Sequence, residues 1–152
     1  MCFLESCKIG TYFKNGNVAQ VGDDRYCIIS DKSNLYSLID QKNACEALGA
    51  TLIKPTSEEM AQAIISVLVN DQDFRGYVHL DATDEATEGT WTDFDGNPLT
   101  YTKWGTGQPN TDISENYAAF VVFDVEGYDG NWYTSNDDNE FACQKKLTAG
   151  KL

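Results

Sequence analysis

Carboxylates and side-chain amides dominate the second half of the 152-residue chain. Between Lys103 and Lys145 there is no Lys or Arg, while Asp112, Glu115, Asp124, Glu126, Asp129, Asp137, Asp138 and Glu140 all fall in that stretch. A second acidic group is Asp81, Asp84, Glu85, Glu88, Asp93 and Asp95. Most such residues form a solvated face. Carboxylates crowded on loops without compensation repel one another, however, and a divalent cation with oxygen ligands relieves that repulsion. Calcium is the ion this composition suits.

Other chemistries find less support. His79 is the only histidine. A Ser–His or Cys–His unit would have to pass through it, and no nucleophile-elbow pattern lies nearby. Zinc lacks its Cys/His clusters, and Gly105-Thr106-Gly107 has no phosphate-loop context. The chain is not expected to be an enzyme, and His79 is expected to be structural. With 24 acidic against 11 basic residues the net charge is −13, which disfavours nucleic acid and anionic membrane surfaces. No apolar run is long enough to insert into a membrane.

Five cysteines are odd in number and many for a cytosolic chain of this size. They suggest an oxidising, secreted or extracellular setting with two bridges and one cysteine left over. Residues 1–10 lack a secretory signal, so Met1 is read as an initiator before a mature chain. There is no glycosylation sequon.

The elements that must position these groups read as α+β in one domain. Residues 1–21 read as an N-terminal arm with a hairpin around Asn15-Gly16, 22–147 as the domain and 148–152 as a tail. Arg25–Ser30 is a β-type run. Leu35, Leu38, Cys45 and Leu48 share one helical face that Gly49 terminates. Thr56-Ser57-Glu58-Glu59 has capping-box spacing and opens a second helix, carried by Met60, Ile64 and Leu68 to about Val69. Short strands follow at Tyr77–Leu80, Thr90–Thr92, Ala118–Phe123, Trp132-Tyr133 and Glu140–Lys145. Ala118–Phe123 is the most apolar and is expected to be central. Asp95-Gly96-Asn97-Pro98 and Gly127–Asn131 are turns, and Thr102–Ser114 is a long polar loop.

In order along the chain, several segments resemble the C-type lectin family. They are Ala44-Cys45-Glu46-Ala47-Leu48-Gly49-Ala50-Thr51-Leu52, Tyr77-Val78-His79-Leu80, Thr83–Trp91, Gly96–Trp104, Gln108-Pro109-Asn110, Glu115-Asn116 and Phe141-Ala142-Cys143. The resemblance covers roughly 22–146 and implies a double-looped α+β domain of two helices and short antiparallel sheets. It implies a Cys45–Cys143 bridge between the first helix and the last strand. Such a link closes a loop of about 100 residues and contributes on the order of 4–5 kcal/mol through unfolded-state entropy. Longer members carry a further bridge, which here would pair Cys27 with Cys7 and leave Cys2 to join two chains as a homodimer. A tight Cys2–Cys7 loop is the rival pairing. The family's bridge across the long loop has no cysteines here, so the order of that loop is expected to depend on calcium.

The resemblance also implies a ligand set. Gln108, Asn110 and Glu115 match the family's primary calcium and sugar site, where the intervening proline is commonly cis. An Asn-Asp pair normally follows the tryptophan of the next strand, but here the residues are Trp132-Tyr133-Thr134. Asn131 and Asp137 are the nearby candidates to complete the shell. An auxiliary calcium site matches Asp84, Glu88 and Asn116, with Asp112 near it. Gln108 replaces an acidic ligand, so calcium affinity is expected in the 10⁻⁴–10⁻³ M range of extracellular modules. The implied partners are glycans or glycoproteins. Gln108 leans the expected specificity towards galactose or GalNAc, and Tyr128 is the candidate stacking ring. Trp91, Trp104 and Trp132 are assigned to the core. The alternative is a lectin-like domain without sugar activity that binds a protein or ice surface.

Overall fold

The computed structural model describes residues 6–9, 14–31, 37–125, 129–136 and 139–148. Cys2, Tyr128 and Asp137 lie outside them. Three strands come first, β1 (Ser6–Ile9), β2 (Lys14–Val21) and β3 (Asp24–Asp31). Helix α1 (Leu38–Ala47), the short β4 (Thr51–Leu52) and α2 (Glu58–Ser66) follow. A π-helical turn, Val67–Asp71, extends α2. The chain then forms β5 (Gly76–Thr83), β6 (Tyr117–Val122), β7 (Trp132–Ser135) and β8 (Phe141–Lys146).

Local chemistry accounts for the helix ends. Ser37 and Ser57 cap α1 and α2 by accepting from the Asp40 and Met60 amides. At the far end of α1, Gly49 adopts a φ of 70°. Its amide bonds the Glu46 carbonyl and that of Ala50 bonds the Cys45 carbonyl, a Schellman closure that needs a residue free of Cβ strain.

Two antiparallel sheets result, ordered β1-β2-β3-β8-β4 and β5-β6-β7. The expected central strand is the middle of the second sheet. One core cluster joins α2, β5, β6 and Trp132, and a second gathers Cys7, Cys27, Cys45 and Cys143 with Leu38, Leu52 and Phe141. Both favoured bridges are present, Cys7–Cys27 and Cys45–Cys143, with Cα separations of 5.7 and 5.4 Å.

Two expectations change. Asn15-Gly16 is not a hairpin turn: both residues lie inside β2, paired with Lys8 and Cys7. A Cβ on Gly16 would stand 2.6 Å from Ile29 Cγ1 and 2.9 Å from Cys27 Sγ, so the glycine serves close packing beside the bridge. The described part of the presumed arm is therefore built into the five-stranded sheet. Thr90–Thr92 forms no regular strand, since only Thr92 makes isolated bridges, to Thr83 and Pro98.

His79 is buried in β5. Its Nδ1 faces Gln41 Oε1 at 2.6 Å and its Nε2 faces the Asn136 carbonyl at 3.0 Å. It thereby ties α1 to the segment leading from β7, the structural role expected of it.

Candidate functional site

The long loop between β5 and β6 is organised by polar side chains that bond their own backbone. Asp93 accepts from the amides of Asp95 and Asn97 at 3.0 and 2.8 Å, and its other oxygen pairs with Lys54. Burial alone would raise the Asp93 pKa, but the bonds from Lys54 and Asn97 outweigh it and hold the carboxyl below its usual value. Asp81 lies nearby and accepts from the Phe94 amide at 2.9 Å. There burial dominates and the pKa is raised.

Further along, the chain passes beside β7. The Trp132 amide donates to the Lys103 carbonyl at 2.7 Å, and the Gly105 amide donates to the Trp132 carbonyl at 2.9 Å. Gln108 N–H turns back to the Gly105 carbonyl, and the Gln108–Pro109 peptide is cis. Asn110 Oδ1 accepts from the Asp112 amide at 3.0 Å. Asp112 Oδ1 in turn accepts from the Ser114 amide and hydroxyl, which lowers its pKa. These successive Asx-type turns shape 110–115 without regular secondary structure.

Three expected site residues are brought together by one that was not expected. Thr134 N–H donates to Gln108 Oε1 at 3.0 Å. The Thr134 hydroxyl lies 3.0 Å from the same oxygen and 2.8 Å from Glu115 Oε2. Asn110 Nδ2 also donates to Glu115 Oε2. Gln108, Asn110, Glu115 and Thr134 thus form one polar cluster at the junction of loop and sheet. A threonine at this position reads as the loss of an acidic ligand. The signal for its role was its place in a strand two residues after Trp132, which turns its hydroxyl to the same side as the tryptophan.

The remaining expected ligands are placed apart. The Asn131 carbonyl accepts from the Val121 amide, and no contact joins its side chain to the cluster. The Asn116 carbonyl accepts from the Thr83 hydroxyl and the Asp84 amide, so it lies beside Asp84. Glu88 is exposed, and the following residue, Gly89, donates its amide to Asp84. Trp132 is buried as expected, and Trp91 and Trp104 pack partly buried against the core.

Whether these residues suit a calcium ion is answered best at Asp84. The residue is only 3% exposed, and its Oδ1 is buried without a hydrogen-bond donor. Its Oδ2 accepts from the Gly89 amide at 2.9 Å. An orphaned buried carboxylate oxygen is costly, and a hard cation satisfies it. In the primary cluster the one formal negative charge is that of Glu115, Asn110 turns its Nδ2 to it, and the Gln108 and Asn110 oxygens accept from Thr134 and the Asp112 amide. Among the described residues, no three His, Cys, Asp or Glu side chains converge as a metal cluster. The orphaned Asp84 oxygen suits a hard cation, whereas an ion at the primary cluster would have to displace the bonds its oxygens already accept.

Residues 34–145 match the Lectin C-type domain family, and the chain belongs to it. Among solved structures, the chain is similar to the mouse scavenger receptor C-type lectin carbohydrate-recognition domain. That likeness has 26% identity and a TM-score of 0.70, covering 88% of this chain and 97% of the other. Herring type II antifreeze protein superposes with a TM-score of 0.65 at 21% identity, covering 81% and 92% of the two chains. Human lithostathine gives 0.68 at 15% identity, covering 86% and 97%. The latter two likenesses establish the fold alone. Among the described residues, no helix is long and apolar enough to cross a membrane.

Proposed function

We propose that this chain is an extracellular glycan-binding lectin domain. Its site is the cluster of Gln108, Asn110 and Glu115, with calcium as a weakly held cofactor. The observation that carries the reading is the convergence of two side-chain amides and one carboxylate, fixed by Thr134, at the end of the long loop. Sugar hydroxyls both donate and accept, so amide N–H groups beside a carboxylate suit a neighbouring hydroxyl pair. Thr134 takes up the Gln108 oxygen and leaves the Gln108 amide N–H groups for a ligand. Bound calcium would be held by the oxygens of Gln108, Asn110 and Glu115 in exchange for the bonds they accept from Thr134, the Asp112 amide and Asn110 Nδ2, and would supply direct coordination of sugar oxygens. Asp84 with Asn116 would hold a second ion. Galactose or GalNAc is the favoured sugar. Single sites of this kind are weak, and several copies raise avidity. A dimer through Cys2 would meet that need.

Thr134 also favours a second reading. Its hydroxyl and amide satisfy Gln108 and Glu115 without any ion. Sugar recognition independent of calcium, or a protein ligand, follows from that closure. Binding to a glycan array with calcium and with a chelator separates the readings. Galactose-type binding lost on chelation supports the first. Binding that survives supports the second, and no binding to any glycan defeats sugar recognition.

A further inference from the structure

The β5-β6-β7 sheet carries aromatic side chains on the face turned away from the main core. Directly paired residues share a face, and alternate residues along a strand return to it. Tyr77 pairs with Val121, and Ala119 pairs with both His79 and Tyr133. All five therefore stand on one face. At one end His79 is covered by Gln41, Asn136 and Asn139. At the other end the face is open: Tyr77 is 40% exposed and Phe123 37%. The Tyr77 ring meets Phe123 edge-on at 5.3 Å and Tyr133 edge-on at 6.4 Å. Beneath these rings Ala119 and Val121 are fully buried. The result is a continuous strip of three rings over an aliphatic floor.

We infer that this strip is a second subsite, taking a further neutral sugar residue of a glycan whose end is held at Gln108, Asn110 and Glu115. The inference rests on the proposed primary site. Continuity argues for a sugar as the occupant. Tyr133 turns to the opposite face of β7 from Thr134, so its link to the polar cluster runs through the neighbouring loop and not along the strand. Its ring lies against Gly105, where a Cβ would stand 3.0 Å from Tyr133 Cζ. The Gly105 carbonyl accepts from the Gln108 amide. The strip thus reaches the loop backbone that carries Gln108.

The chemistry agrees. A pyranose has an apolar C–H face that packs on aromatic rings, while two phenol hydroxyls offer both donors and acceptors to its rim. Charge narrows the class further. Asp124 directly follows Phe123 and pairs with Arg75 at 3.8 Å, so the open end of the strip carries a balanced ion pair. A balanced pair offers an anionic sugar no net attraction, which suits a neutral one.

The test is titration calorimetry with galactose and with a neutral galactose-terminated tetrasaccharide. The proteins are the wild type, Tyr77→Ala, Phe123→Ala and Tyr77→Phe. The wild type is expected to bind the tetrasaccharide more tightly than galactose. Each alanine variant should lose roughly three- to tenfold of the tetrasaccharide affinity and keep its affinity for galactose, while Tyr77→Phe keeps both. Equal tetrasaccharide affinity across all four proteins overturns the subsite and leaves the primary site standing. A wild type that binds neither sugar overturns the primary reading and the subsite with it. Should an alanine variant not fold, the aromatic resonances of the wild type decide. Tetrasaccharide-induced shifts at Tyr77 and Phe123 support the subsite, and unshifted rings under saturation overturn it.

Discussion

The two halves of this domain are secured by different means. Around β3, β8 and α1, two disulfides lie within a single apolar cluster, and Cys45–Cys143 joins the first helix to the last strand. Around the long loop, order rests on Asp93, Asp112, Glu115 and Thr134 and on packed aromatics such as Trp91 and Trp104, whose tilted rings have centroids 4.9 Å apart. Covalent links act largely by restricting the unfolded chain, so they stabilise the whole fold. Hydrogen bonds at a surface loop act locally and can be exchanged for bonds to a ligand. The divided construction teaches that the domain combines a covalently fixed frame with a long loop held by bonds that a ligand could exchange.

The largest test of this contrast removes the frame's main tie. Replacing both Cys45 and Cys143 by Ala is expected to cost about 4–5 kcal/mol, read as a fall in the denaturant midpoint for the entire domain. A loss confined to α1 would break the contrast. Next comes the buried end of the loop half. Lys54→Met leaves the Asp93 carboxylate without its cation and should cost about 1.5–3 kcal/mol.

The pH dependence of that pair has a definite sign. Asp93 is held below its usual pKa, so its contribution is fully present above the unfolded-state value near 4. That contribution is lost as pH falls through the lower folded value. Unfolding curves recorded from pH 6 down to pH 2 should therefore show the wild type and Lys54→Met converging in acid. Asp81 runs the other way: its raised pKa means that ionisation between the unfolded and folded values weakens the fold as pH rises.

A smaller effect sharpens the comparison at the site itself. Thr134→Val keeps the backbone bond to Gln108 but removes the hydroxyl shared with Glu115. The expected cost is about 1 kcal/mol, with faster amide exchange confined to 105–116 and β7 and none around the bridges. Exchange rising equally in β3 and β8 would show that the halves are not separable.

Much of the frame was legible from residue types. Gly49 and the Thr56–Glu59 segment mark helix ends through local bonding, which depends little on distant sequence, while the Ser37 cap went unread and the second cap is Ser57 bonded to Met60. The cysteines owe their pairing to the resemblance, and the observed bridges agree with it. Asn15-Gly16 misled because a glycine can serve a turn or a close approach, and only the location of Cys27 and Ile29 decides between them. The site was legible in part for a related reason. Gln108, Asn110 and Glu115 were named through the resemblance, which implies side-chain amides and a carboxylate at these positions. Thr134 offers a neutral hydroxyl whose meaning comes from the residues that face it across the loop. The aromatic strip was hidden for the same cause, since Tyr77, Phe123 and Tyr133 meet only through strand register.

The central claim is that the Gln108–Glu115 cluster is where a glycan binds. Galactose titrated into labelled protein in millimolar calcium, followed by amide resonances, tests it most directly. The prediction is saturable shifts at Gln108, Asn110, Glu115 and Thr134, with the amides of β2, β3 and β8 unmoved. Shifts that bypass those four residues, or no shifts at any galactose concentration, would contradict it.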